Sequence, residues 1–251
     1  GYQAGLNTLY HSELPGYVAT VADSTNSYNG GWGGFGQLNE ITGASRSLVY
    51  LRNQNLVVYY DRADSGSNSL DKANYLVTTG KPSFSGNTAS WLTRSGNQKV
   101  YWTELEPNGD SPALDTAYTD TGAGADWEIY GRIKVDAGSV GSARFLSVLQ
   151  WGPAKSSRSA AASVVSTGGK RYEGALVGSS LVMFMRDRSA NFTTMTYPAS
   201  AATMDYIMDL APNMPYTVSG SGVPQRVTAD NAGVLAFHAD GQGSITVTRI
   251  H

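Results

Sequence analysis

The chain has 251 residues, 41% of them hydrophobic, which is enough to bury a substantial core within one all-β domain. Only 15% are charged and the net charge is -2, so bulk electrostatics favours neither nucleic acid nor an anionic membrane as a partner. Cysteine is absent, which excludes disulfides, thiolate metal sites and a cysteine nucleophile, and no apolar run approaches membrane-spanning length.

The 29 Gly and 15 Tyr, with abundant Ser, Thr and Asn, suit a secreted or periplasmic bacterial β-protein and argue against a helical fold. Residues 1–16 mix apolar and polar positions and end in the turn Pro15-Gly16; the chain opens at Gly1-Tyr2 as a processed protein or an excised fragment would. A short strand is expected over 17–21. The glycine-rich run 29–36 then carries Trp32 and Phe35, whose rings either fold back on a sheet edge or contact a ligand.

Residues 45–62 form the densest structural signal. Leu48-Val49-Tyr50-Leu51 and Leu56-Val57-Val58-Tyr59-Tyr60 flank the polar triplet Asn53-Gln54-Asn55. β-Branched and aromatic residues suit a pleated surface and Asn tolerates the positive φ of a tight turn, so this is a β-hairpin. Neither run alternates cleanly, which predicts a central position with both faces covered and with Tyr50, Leu51, Val57 and Val58 largely buried. Arg46 and Arg62 close its open ends, and Asp61 offers one of them a carboxylate.

A polar loop is expected over 63–72, a strand over 75–79, and a second hairpin, 91–94 with 99–105, about Ser95-Gly96-Asn97. Strand-like segments recur at 127–135, 144–151, 162–166, 171–177, 180–186 and 191–197. A helix is expected over 201–210, ended by Pro212, and four closing strands follow at 216–219, 225–228, 233–238 and 243–249. Short strands with turn signals between them predict one continuous antiparallel β-sandwich over residues 1–251, with at most one or two short helices.

The hairpin also carries a resemblance. Arg46-Ser47-Leu48-Val49-Tyr50-Leu51, a polar turn, then Leu56-Val57-Val58-Tyr59-Tyr60-Asp61-Arg62 resembles the β-sandwich of the heparinase II/III-like polysaccharide lyases. Residues 21–28, 127–135 and 144–150 follow the family's order, so the likeness covers roughly residues 20 to 150. It implies the C-terminal sandwich of a larger or processed lyase-like protein that acts on a uronate-containing polysaccharide by β-elimination. That chemistry neutralises a carboxylate with Arg, Asn or a cation and uses Tyr or His as base and acid. In the family most catalytic groups belong to a preceding helical domain, expected here as an N-terminal domain or a separate chain. The family's His-Asn-Thr-like segment falls at Leu6-Asn7-Thr8, with Leu in place of His. The implied catalytic candidates are therefore Asn7, Tyr10 and the out-of-register His11, and negligible lyase activity is expected of this chain alone.

For an acidic glycan the candidate contacts are Trp32, Phe35, Arg46, Arg171 and Arg186, because guanidinium forks match carboxylates and sulfates. The alternative for such arginines is a solvated charge at a strand end. His11 is either a contribution to a cleft or an ordinary surface residue, and His238 reads as structural. No cofactor is expected and no transition-metal ligand set is spaced along the chain; a Ca²⁺ site in the acidic loop 110–120 would need only oxygen ligands, against the alternative of a solvated loop. Hydrolase-elbow, phosphate-loop, zinc-protease and dinucleotide motifs are absent from the sequence. Three functions stay open: the sandwich part of a lyase, a free-standing acidic-glycan-binding module, and a structural extracellular domain.

Overall fold

The computed structural model describes residues 7–29, 40–66, 70–107, 111–117, 129–168, 171–188, 191–220, 225–241 and 243–250. In chain order these form β1 (Asn7–Glu13), β2 (Tyr17–Asp23), the five-residue helix α1 (Thr25–Asn29), β3 (Ile41–Leu51), β4 (Leu56–Ser65), β5 (Asp71–Thr78), β6 (Ser83–Ser85) and β7 (Thr88–Leu92). Next come β8 (Gln98–Glu106), β9 (Ala113–Asp115), β10 (Gly131–Ser139), β11 (Ser142–Pro153), β12 (Ala161–Val165), β13 (Tyr172–Val177) and β14 (Ser180–Met185). The chain closes with β15 (Thr194–Pro198), β16 (Thr203–Ile207), β17 (Pro215–Ser219), β18 (Gln225–Thr228), β19 (Leu235–Ala239) and β20 (Ser244–Arg249).

The fold is all-β and sandwich-like, in four layers. An eight-stranded sheet runs β1-β2-β3-β4-β11-β8-β7-β6. On its outer face packs the three-stranded sheet β5-β10-β9, through Trp91, Trp102, Ile133, Val135 and Phe145. On its inner face packs the five-stranded sheet β12-β13-β14-β16-β19, through Val49, Val58, Tyr60, Leu146, Val182 and Phe184. A four-stranded sheet, β15-β20-β17-β18, closes the far side through Met183, Ile207, Tyr197, Tyr216 and Val247. The five-stranded sheet is thus covered on both faces, which is why all six residues of β14 are buried and its sequence, Ser-Leu-Val-Met-Phe-Met, does not alternate.

β3 and β4 form the expected hairpin, third and fourth in the eight-stranded sheet. A single 3-10 turn, Arg52–Gln54, joins them and ends on Asn55 at φ 48°, the left-handed conformation that Asn accepts at little cost. Leu51 and Val58 are buried, whereas Tyr50 and Val57 are half-buried on the outer face, where Tyr50 stacks on Trp151 at 5.5 Å. The second hairpin is β7 with β8, turning through Gly96 at φ 69°.

Two expected elements are corrected, and one strand was not foreseen. Residues 201–210 are not a helix: β16 lies there, parallel to β14 and antiparallel to β19, because the segment must sit between two layers and bury side chains on both faces. Tertiary burial overrides the helix preference of its Ala, Met and Leu residues. Residues 7–13, which carry no alternation to read, are the edge strand β1, and most of them are exposed. The loop expected over 63–72 is shorter, since β4 extends to Ser65 and β5 starts at Asp71.

Candidate functional site

The eight-stranded sheet is wider than the three-stranded sheet on its outer face. Its β1–β4 half therefore stays open, and β5 stands beside it as a wall. The result is a groove of about 640 Å³. Its floor is the outward row of the sheet: Thr20 and Ala22 from β2, Arg46 from β3 and Asp61 from β4. Arg46 lies opposite both Ala22 and Asp61 in register, which brings these side chains to one face. β5 forms the wall, with Lys72 and Asn74 turned toward the sheet and Asp71 and Tyr75 on its other face, at the rim.

Tyr28 contributes from α1. Asp23 Oδ1 accepts the Thr25 amide at 2.8 Å and starts that turn. Asn29 then clamps Ile41 with both ends of its side-chain amide, at 2.7 and 3.0 Å, and ties the helix to the start of β3. Tyr28 is held there 64% exposed, and Tyr75, at the rim on the outer face of β5, is 41% exposed. The Arg132 guanidinium lies 4.2 Å from the centre of the Tyr75 ring. Two large rings left open on ordered elements mark a surface able to receive a flat apolar face.

Arg46 meets Asp61 as a fork, Nε to Oδ1 at 2.6 Å and Nη2 to Oδ2 at 2.7 Å. Its guanidinium lies 4.6 Å from the Tyr59 ring centre, and Trp102 Nε1 donates to the Tyr59 hydroxyl at 2.9 Å. Lys72 is buried, and Nζ donates to Ser65 Oγ at 2.8 Å and to the carbonyls of Leu70 and Val140. Behind the wall, Asn74 Nδ2 donates to Ser147 Oγ at 3.2 Å, and Ser147 donates to Glu104. Glu104 is 2% exposed and its Oε1 has no hydrogen-bond partner among the described residues. Burial pushes its carboxyl well above the usual carboxylate range, with the Ser147 bond opposing.

Of the candidates read from the sequence, Arg46 lies in this groove. Arg171 and Arg186 do not join it. Arg186 follows β14 on the inner side of the eight-stranded sheet, where it pairs with the buried Glu173, and its amide donates to the Arg171 carbonyl at 2.8 Å. The two strand ends lie a full layer away from Arg46, and the sequence cannot reveal which face of a sheet an arginine reaches. On β1, Asn7, Tyr10 and His11 pair with Asp23, Val21 and Thr20. His11 is thus next to the groove-lining Thr20, yet Thr8 is the β1 residue that lines the cavity. Trp32, Phe35 and His251 lie outside the described residues, as do residues 110 and 118–120 of the acidic loop; its described part carries β9, where Asp115 pairs with Arg132. Among the described residues no three His, Asp or Glu side chains come together to hold a metal ion.

Sequence reasoning missed Tyr28, Tyr75, Lys72 and Asn74. Tyr75 stood in an expected strand, and an aromatic at the edge of a polar loop is the signal that was there to use.

No protein-family model and no curated protein matches the chain. Among solved structures it is similar to the heparan sulfate lyase HepC from Pedobacter heparinus, with TM-score 0.54 and 10% identity over 72% of this chain and 28% of that one. It is likewise similar to two structures of heparinase III, with TM-scores of 0.52 and 0.50 and identities of 10% and 12%, covering 68% and 72% of this chain. The chain spans little more than a quarter of the length of these neighbours, 26–28%. At such identities the likeness establishes the fold: a β-sandwich built like one part of the heparinase III lyases.

Proposed function

We propose that this chain is the carbohydrate-binding sandwich of a polysaccharide lyase-related protein, exported from the cell, and that a glycan lies in the groove between β2–β4 and β5. The observation that carries this reading is the pair of exposed rings, Tyr28 and Tyr75, set about a floor where the Arg46–Asp61 fork offers donors and acceptors side by side. Rings stack on the C–H faces of sugars, and the fork takes up their hydroxyls. The fold shared with a heparan sulfate lyase over about a quarter of its length supports a module of a larger assembly, with a helical domain or chain as its partner.

A second reading rests on one feature. Tyr28 and Arg46 line the same groove. A guanidinium that neutralises a carboxylate beside a tyrosine able to take a proton is the minimal set for β-elimination from a uronate. The experiment treats both. The 251-residue chain is incubated with alginate, hyaluronate and heparin while the absorbance of unsaturated product is followed, and the same chain is run through gels containing acidic or neutral polysaccharides. Retardation without product is the expected result; product formation lost in Tyr28→Phe moves the chain to the second reading, and neither retardation nor product refutes both.

A further inference from the structure

Kinship with lyases leads one to expect a ligand dense in carboxylate or sulfate. The charges of the groove point elsewhere. Five charged residues line it, and the guanidinium of one, Arg62, is turned through the sheet to Met185, Ser47 and Asp209 on the inner side. Two cations, Arg46 and Lys72, then stand against two anions, Asp61 and Asp71. Residues 30–39 and 67–69, which continue the chain from Asn29 and from Gly66, contain no charged side chain.

The two cations are also committed. Nε and Nη2 of Arg46 are engaged by Asp61, and the Lys72 ammonium is buried among three oxygen acceptors. A polyanion would have to break the Arg46 fork and would then face the released Asp61 carboxylate, with Asp71 also on the lining. Like charges brought together in this way are how a site rejects a ligand. An uncharged sugar meets no such opposition. A pair of neighbouring hydroxyls can donate to Asp61 and accept from Nη1 of Arg46, which bonds none of the described residues, without parting the two. The hydroxyls of Thr8, Thr20 and Ser24 extend the same kind of contact, and the exposed rings of Tyr28 and Tyr75 stand at the rim.

We infer that the groove takes an uncharged stretch of glycan, read through sugar hydroxyls and ring stacking, and not a uronate- or sulfate-dense run. The inference rests on the groove being the glycan site proposed above.

The test is affinity electrophoresis followed by calorimetric titration of the 251-residue chain. The neutral panel comprises α- and β-linked glucans, mannans, galactans and xylans; the acidic panel comprises heparin, alginate and hyaluronate, each at low and high salt. Expected are binding to at least one neutral glycan that changes less than about twofold with salt, no binding to the acidic panel, and about tenfold or greater weakening in Tyr28→Ala/Tyr75→Ala. Both rings are exposed, so this double variant should keep the wild-type far-UV spectrum. Tighter binding of an acidic glycan, falling steeply with salt and lost in Arg46→Ala, would overturn the inference while leaving glycan binding intact. Neutral binding unchanged in the double tyrosine variant would overturn the assignment to this groove. No binding to either panel would remove both the inference and the function on which it rests.

Discussion

Asp209 joins the eight-stranded layer to the five-stranded one, and removing its carboxylate should be among the most damaging single changes in the chain. It is 1% exposed, and Arg62, its partner at 2.6 Å, is 3% exposed. Asp209 also accepts from Ser47 Oγ at 2.7 Å, from the Met185 amide at 3.2 Å and from Arg188 Nε at 3.3 Å. Arg62 in turn donates to the Met185 carbonyl and to Ser47, and its guanidinium lies 4.8 Å from the Tyr60 ring centre. Asp209→Ala leaves a buried guanidinium without its counter-charge, which costs about 3–5 kcal/mol. The backbone at φ 63° adds about 1 kcal/mol more, because alanine lacks the local hydrogen bonds that let Asp occupy this region. Arg46→Ala, in the half-exposed pair with Asp61, should cost less than about 1 kcal/mol from the lost ion pair. Urea unfolding at neutral pH gives both values from the shift in midpoint at constant slope. Arg62→Met/Asp209→Asn should lie closer to wild type than Asp209→Ala, since it removes both charges and keeps a residue that accepts positive φ. An Asp209→Ala protein within about 1 kcal/mol of wild type would refute the reasoning.

Two further outcomes follow from buried groups. Glu104 holds its proton in the folded state to a higher pH than in the unfolded chain, with Arg46, Asp61 and Tyr59 as the neighbouring titratable groups. The stability this proton contributes is complete below the unfolded carboxylate range and is lost as pH rises toward the folded value. Glu104→Gln, which has no proton to lose, should therefore gain on wild type as pH rises from about 5 to about 8, by at most about 1.4 kcal/mol per pH unit; a difference flat across that range would count against a buried neutral acid. Gly233→Ala should fail to accumulate as folded protein, because φ is 75° and a Cβ there would lie 2.2 Å from the Leu210 carbonyl oxygen; a wild-type melting curve would contradict this.

Much of the strand content was legible because it is local. The hairpin of β3 and β4 announces itself through Leu, Val and Tyr on either side of three polar residues, and its Asn55 takes the positive φ that Asn tolerates. That Asp61 would pair with one of the two hairpin arginines was legible too; which one was not, and the register puts it directly across from Arg46. Layering was not legible. β11 enters the eight-stranded sheet between β4 and β8, and that crossover decides which face of β3 looks toward the groove. For the same reason Arg46 and Arg186, grouped by their chemistry, end up on opposite sides of one sheet. The helix expected over 201–210 failed because composition reports what a segment prefers alone, whereas β16 is surrounded by two other layers. The groove draws on β1, β2, α1, β3, β4 and β5, and its rings come from a five-residue helix and an edge strand with no motif between them.

Hydrogen–deuterium exchange of the 251-residue chain, with and without a saturating glycan from the panel above, locates the ligand without any substitution. The groove predicts slower exchange in peptides covering α1, the first half of β3 and β5, and unchanged exchange in β15, β17, β18 and β20 of the far layer. Protection confined to the five- and four-stranded layers, where Arg171 and Arg186 lie, would contradict a glycan site at Tyr28, Arg46 and Tyr75.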